Sequence, residues 1–163
     1  MSIRKITRLA MLLAISIVLS IVEGLIPTGP IPGIKLGLAN AVALYILYKD
    51  GILESITISV LRVVLAGLLR GTIFQMGFWM SVAGMVLSLG MMILFKLLFK
   101  KFSIIGVSII GAVFHSVGQI LVAIIYLGTV YVGHYLPILV LVSVGTGILT
   151  GFIAKMLLKI KIE

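Results

Sequence analysis

The sequence predicts an all-α integral membrane protein, a bundle of six transmembrane helices with both termini in the cytoplasm, forming a single transmembrane domain over residues 1–163. Three observations carry that expectation. Hydrophobic residues make up 62% of the chain and charged residues only 10%, against about 25% charged in an ordinary soluble domain. Mean hydropathy is +1.38. The apolar residues are gathered into runs near the roughly 20 residues that cross a bilayer core, and the basic residues gather at alternate run edges.

The first predicted helix is Ile6–Ile26. Arg4, Lys5 and Arg8 precede or open it, as they would a signal peptide. Its length exceeds the usual 7–15 residues of a signal core, and no A-x-A-like cleavage site follows, so it reads as a retained helix. Three of the four prolines then fall within "PTGPIPGIK", which interrupts helix formation before a shorter second helix, Leu36–Tyr48. Charge, proline and glycine breaks bound the remaining helices at Ile52–Leu69, Thr72–Phe95, Ile104–Leu127 and Leu136–Leu158. With the N-terminus inside, Lys35 and Arg70 are the basic residues at the outer ends, and the loop and terminal cations are cytoplasmic.

The net charge of +9 comes from residues at the edges of apolar runs, which reads as topology and not as a nucleic-acid surface. The absence of cysteine excludes disulfides, thiolate metal sites and cysteine nucleophiles. Small residues four apart, at Gly33/Gly37, Gly67/Gly71, Gly84/Ser88 and Gly147/Gly151, read as close helix packing.

The informative residues are those whose burial in lipid is costly. Arg62 lies about 15 Å into the third helix, near the bilayer midplane, where a cation costs at least about 2.5 kcal/mol unless paired or hydrated. Glu23 is the one acid placed to neutralise it within the membrane, since Asp50 and Glu54 fall in the inner loop and Glu163 is terminal. Two readings stand: Arg62 is paired internally, with Glu23 or with backbone carbonyls, or it faces a cavity and meets a ligand anion. His115 and Gln119 are four apart and share a helix face. Asn40 adds a neutral hydrogen-bonding group to the second helix. With Lys35 and Arg70, these form the candidate substrate-binding set, and their excess positive charge favours a small anion such as a carboxylate or phosphate. Trp79 and Tyr126 read as interfacial belt residues.

No phosphate-binding loop, H-E-x-x-H or intramembrane carboxylate pair is present. Asp50 is the only aspartate, so no aspartate cluster can hold Mg²⁺ against a diphosphate. No catalytic residue, metal site or cofactor is expected.

At "PIPGIKLGLAN", "LRVVLAGLLRG", "FSIIGVSIIGAVFHSVGQILVA" and "YLPILVLVSVGTGILTG", the chain resembles a bacterial family known both as Gx transporters and as heptaprenyl diphosphate synthase component I. The resemblance covers nearly the whole chain. It implies similarity to the S components of energy-coupling factor (ECF) transporters, six-helix substrate-binding subunits in the bacterial cell membrane. Their partners would be an ECF coupling transmembrane subunit and two ATPase subunits, with Ala10 and Ala14 of "AMLLA" as the helix contact. On that resemblance "PTGPIPGIK" would be a lid over an outward-facing site for a vitamin-like anionic metabolite or an isoprenoid or quinone precursor. The alternatives are an accessory membrane component of heptaprenyl diphosphate (menaquinone side-chain) synthesis and a non-transporting assembly protein.

Overall fold

The computed structural model describes residues 3–25, 35–99 and 101–160. The lid reading of "PTGPIPGIK" falls outside the described residues except for Lys35. Six α-helices follow in order: α1 (Ile3–Glu23), α2 (Asn40–Lys49), α3 (Ile52–Leu69), α4 (Met76–Leu98), α5 (Ile104–Leu127) and α6 (Leu136–Lys159), with a 3-10 turn at Val130–Tyr135 before α6. Five segments, α1, α3, α4, α5 and the 3-10 turn with α6, are long and apolar enough to cross a membrane. The protein is thus a multi-pass helical membrane protein.

The second helix departs from the sequence expectation. It begins at Asn40, four residues later than the apolar run, and its 10 residues reach about 15 Å, half of a hydrocarbon core. Residues 35–37 are non-helical, a turn occupies Leu38 and Ala39, and Gly37 takes φ +83, a left-handed conformation open to glycine without steric cost. The α4 start moves similarly, from Thr72 to Met76, because a turn with Gly71 at φ 62 and Phe74 at φ 72 occupies the intervening residues.

Helix α2 is apolar all round and is the core of the bundle. Leu44, Tyr45, Ile46 and Leu47 are wholly buried, which marks a helix enclosed by others. It touches each of the other five helices, α4 packs on α5 and α5 on α6, and α1 rests on α3 and α2 alone. One end of the bundle carries Arg8, Lys49, Lys96, Lys101, Lys155 and Lys159 and is called the basic end below; the opposite one is the far end. At the basic end Arg8 is paired with Asp50 and Lys5 with Glu54, which fasten α1 to the α2–α3 corner. Lys96 donates to the Leu47 carbonyl and lies over the Tyr48 ring.

Lipid offers no hydrophobic force to join helices, so α4, α5 and α6 rely on close approach and hydrogen bonds. Ser108 meets Thr150 at 2.9 Å and Ser116 meets Ser143 at 2.6 Å across α5 and α6. A Cβ at Gly147 would come within 2.7 Å of the Ile109 Cα, and one at Gly151 within 2.8 Å of the Ile105 Cα. The packing reading of Gly147/Gly151 therefore holds. Gly71, in contrast, has open space around it and serves the turn.

A Cβ at Gly118 would lie 2.6 Å from the Ala83 carbonyl oxygen of α4, whereas one at Gly145 meets nothing within 4 Å. Gly118→Ala is expected to destabilise the protein, since overpacking against backbone costs about 1–3 kcal/mol and exceeds the helix-propensity gain. Gly145→Ala is expected to be neutral or stabilising by up to about 1 kcal/mol. Thermal unfolding in mild detergent measures both, and equal midpoints for the two variants would refute the packing argument.

Candidate functional site

The site is built around the backbone that precedes α2. Non-helical backbone at membrane depth is tolerated only where other groups satisfy its hydrogen bonds, and here side chains from three helices do so while a fourth helix holds the Lys35 ammonium. The Gln119 amide of α5 accepts from the Lys35 N–H at 3.2 Å and donates to the Lys35 carbonyl at 3.2 Å. Thr146 of α6 donates to the Leu36 carbonyl at 3.3 Å. The Glu23 carboxylate at the end of α1 accepts from the Leu38 N–H. Ser81 of α4 accepts from the Lys35 ammonium at 2.8 Å. The segment becomes a strap tied to α1, α4, α5 and α6.

The predicted pairing of His115 with Gln119 is present, with Gln119 Nε2 donating to His115 Nε2 at 2.8 Å. An imidazole that accepts at Nε2 carries its proton on Nδ1, and that nitrogen is buried against the Gly84 backbone of α4 without a well-formed hydrogen bond. The ring sits against Gly84 of α4 and near Gly37 of the strap, where added Cβ atoms would meet it at 2.7 Å and 3.5 Å. The absence of a side chain at Gly84 is therefore what admits a histidine between α4 and the strap, since 3.5 Å at Gly37 is ordinary contact.

Arg62 is 4% exposed. It donates through Nη1 to Asn40 Oδ1 at 3.4 Å, while its Nε has no partner. Asn40 in turn donates to Ser88 of α4 at 3.2 Å. Glu23 is buried as well, yet it does not form a close ion pair with Arg62: its carboxylate is spent on the Leu38 N–H. The direct Arg62–Glu23 bridge considered from sequence is replaced by two hydrogen bonds to either side of the α2 amino end.

Five of the six candidate residues, Lys35, Asn40, Arg62, His115 and Gln119, thus converge on the strap and the first residue of α2. Arg70 stands apart at the far end, donating to the Gly24 carbonyl at 3.3 Å, although it is near enough to act on Lys35 through space. Ala10 and Ala14 are both exposed on the outer face of α1. Trp79 and Tyr126 are exposed at 45% and 58%. Sequence reasoning missed Ser81, Ser88 and Thr146. Serine and threonine are common in membrane helices, and the one spacing signal among these three, Gly84/Ser88, reads as packing and not as a site.

Chemically, this arrangement gathers two buried cations, Lys35 and Arg62, against one buried carboxylate, with a free N–H on Arg62 and the amino end of α2 beside it. It can bind an anion through charge-assisted hydrogen bonds. Among the described residues no cluster of three His, Asp or Glu side chains could hold a metal ion.

The family model described as heptaprenyl diphosphate synthase component I matches residues 12–157. The chain belongs to this family. The matched residues include the strap, α2 and every side chain bonded to the strap. Comparison with curated proteins and with solved structures found no match.

Replacing Gln119 by Leu keeps the side-chain size but strands two backbone groups of Lys35 and the His115 ring. Each unsatisfied buried group costs about 1–3 kcal/mol, so Gln119→Leu is expected to lose about 2 kcal/mol or more of stability. Hydrogen exchange at Leu36–Leu38 is expected to accelerate at the same time. Unchanged exchange there would mean that the strap is held by something other than the amide.

Proposed function

We propose that this chain is a non-catalytic membrane component of the heptaprenyl diphosphate synthase system, which holds an anionic small molecule or headgroup at the strap and serves a separate catalytic subunit. The observation that carries this reading is the buried charge imbalance at the α2 amino end, where Lys35 and Arg62 face Glu23 alone and Arg62 keeps an unpartnered N–H. A buried cation without full compensation is costly, and a bound anion relieves that cost. Family membership supplies the isoprenoid diphosphate context. The non-catalytic part of the proposal rests on the single aspartate of the chain, Asp50, which is engaged by Arg8 and lies at the basic end away from the strap.

A second reading is a substrate-binding S component of an ECF-type importer in the bacterial cell membrane, working with a coupling subunit and two ATPases. The observation that favours it is α1: this helix rests on α3 and α2 only, and Ala10 and Ala14 lie on its exposed face, open to a partner helix. In this reading the basic end is cytoplasmic and the strap serves the outer half.

The test is to purify the chain in mild detergent and identify retained small molecules by mass spectrometry, comparing wild type with Arg62→Gln. Loss of a charge-assisted hydrogen bond is worth about 1.5–3 kcal/mol, so retention of an anionic compound is expected to fall about tenfold or more in the variant. An isoprenoid diphosphate, with stimulation of allylic chain elongation when the chain is reconstituted beside a catalytic subunit, supports the first reading. A vitamin-like anion whose uptake into vesicles requires ATP and an ECF module supports the second. Recovery of the same bilayer lipid alone from both proteins, with no anionic species lost on Arg62→Gln, would sink both.

A further inference from the structure

Glu23 occupies an unusual place. It is the last residue of α1, it is 2% exposed, and its carboxylate reaches across to the Leu38 N–H at the start of the α2 turn. The Ala39 N–H also turns toward it, and Arg62 and Lys35 are the opposite charges nearest to it. An acidic group at a helix amino end, accepting backbone N–H bonds beside two cations, is in the position that a bound anion takes. The unpartnered Nε of the buried Arg62, whose Nη1 holds the first residue of α2, is a second and independent sign that this end of the helix is an incomplete anion site.

The helix that carries Glu23 is fastened unequally. Its basic end is secured by the Arg8–Asp50 and Lys5–Glu54 pairs. At the far end, among the described residues, the polar ties are Glu23 to Leu38 and the 3.3 Å bond from Arg70 to the Gly24 carbonyl. Between them α1 exposes Ala10, Ala14, Val18 and Val22 along its length.

We propose that Glu23 is the resident anion of the strap site: a ligand anion displaces its carboxylate from the amino end of α2 and thereby frees the far end of α1, so that site occupancy is read out on the exposed face of that helix. The proposal rests on the anion-binding reading given above and adds the competing group and the element that moves. Glu23 also sets the charge the site accepts. With it in place, the excess of Lys35 and Arg62 is a single positive charge; without it the excess is two.

Inorganic pyrophosphate serves as the probe, titrated calorimetrically into the full chain in mild detergent, with hydrogen exchange followed over Ser16–Glu23 and Leu36–Ala41. The Glu23→Gln variant is expected to bind pyrophosphate at least tenfold more tightly than wild type. In wild type, pyrophosphate is expected to slow exchange in Leu36–Ala41 and to speed it in Ser16–Glu23. In Glu23→Gln the Ser16–Glu23 segment is expected to exchange fast from the outset and to respond little to the probe. Glu23→Asp, which keeps the charge but withdraws it by one methylene, guards against a variant that fails to fold and is expected to bind with intermediate affinity.

Wild-type binding that is equal or stronger than that of Glu23→Gln and Glu23→Asp would overturn the competition while leaving the anion site intact. Tighter binding by Glu23→Gln with no change in α1 exchange would overturn the coupling. Failure of every folded variant to bind pyrophosphate, Arg62→Gln included as reference, would remove the underlying anion site and this proposal with it.

Discussion

A non-helical stretch of backbone inside an apolar bundle dominates this structure. Within residues 35–39 the Gly37 and Leu38 carbonyls accept from the Asn40 and Ala41 N–H groups, and the N–H and C=O groups left over call for side-chain partners. Gln119, Thr146 and Glu23 meet them, and Ser81 takes the Lys35 ammonium. Since those side chains come from α5, α6, α1 and α4, the strap fixes how the outer helices stand around α2 at that level.

The cost of that arrangement is electrostatic. The strap brings Lys35 inward while α2 begins beside Arg62, so two cations and the positive end of a helix dipole share one buried region. Glu23, Asn40, Ser81 and Ser88 offset part of this charge without closing every bond. The same features that make the region expensive favour an anion there, because a charge-assisted hydrogen bond to Arg62 is stronger than a neutral one.

Elsewhere the bundle follows the economy of membrane packing. Helices α4, α5 and α6 approach through Gly118, Gly147 and Gly151 and are joined by the Ser108–Thr150 and Ser116–Ser143 contacts. This tight layer contrasts with α1, which leans on α3 and α2 and is held mainly at its basic end. The bundle thus pairs a tightly packed layer with a helix held by ion pairs at one end and by hydrogen bonds at the other.

Composition and run length alone determined the membrane class, five of the helices to within a few residues, and the residues whose burial demands a reason. Arg62, Lys35, His115 and Gln119 were all legible, because charge and amide groups are conspicuous in apolar runs, and the i, i+4 spacing of His115 and Gln119 put them on one face. Only the tertiary structure decided that Leu36–Ala39 would leave the helix: hydropathy is the same in a helix and in a strap, and what holds the strap lies up to 110 residues away in sequence, at Thr146. It also decided that Glu23 bonds to the strap backbone at Leu38 instead of to Arg62. Sequence records which charges are available, but their partners are chosen by the distances that folding creates.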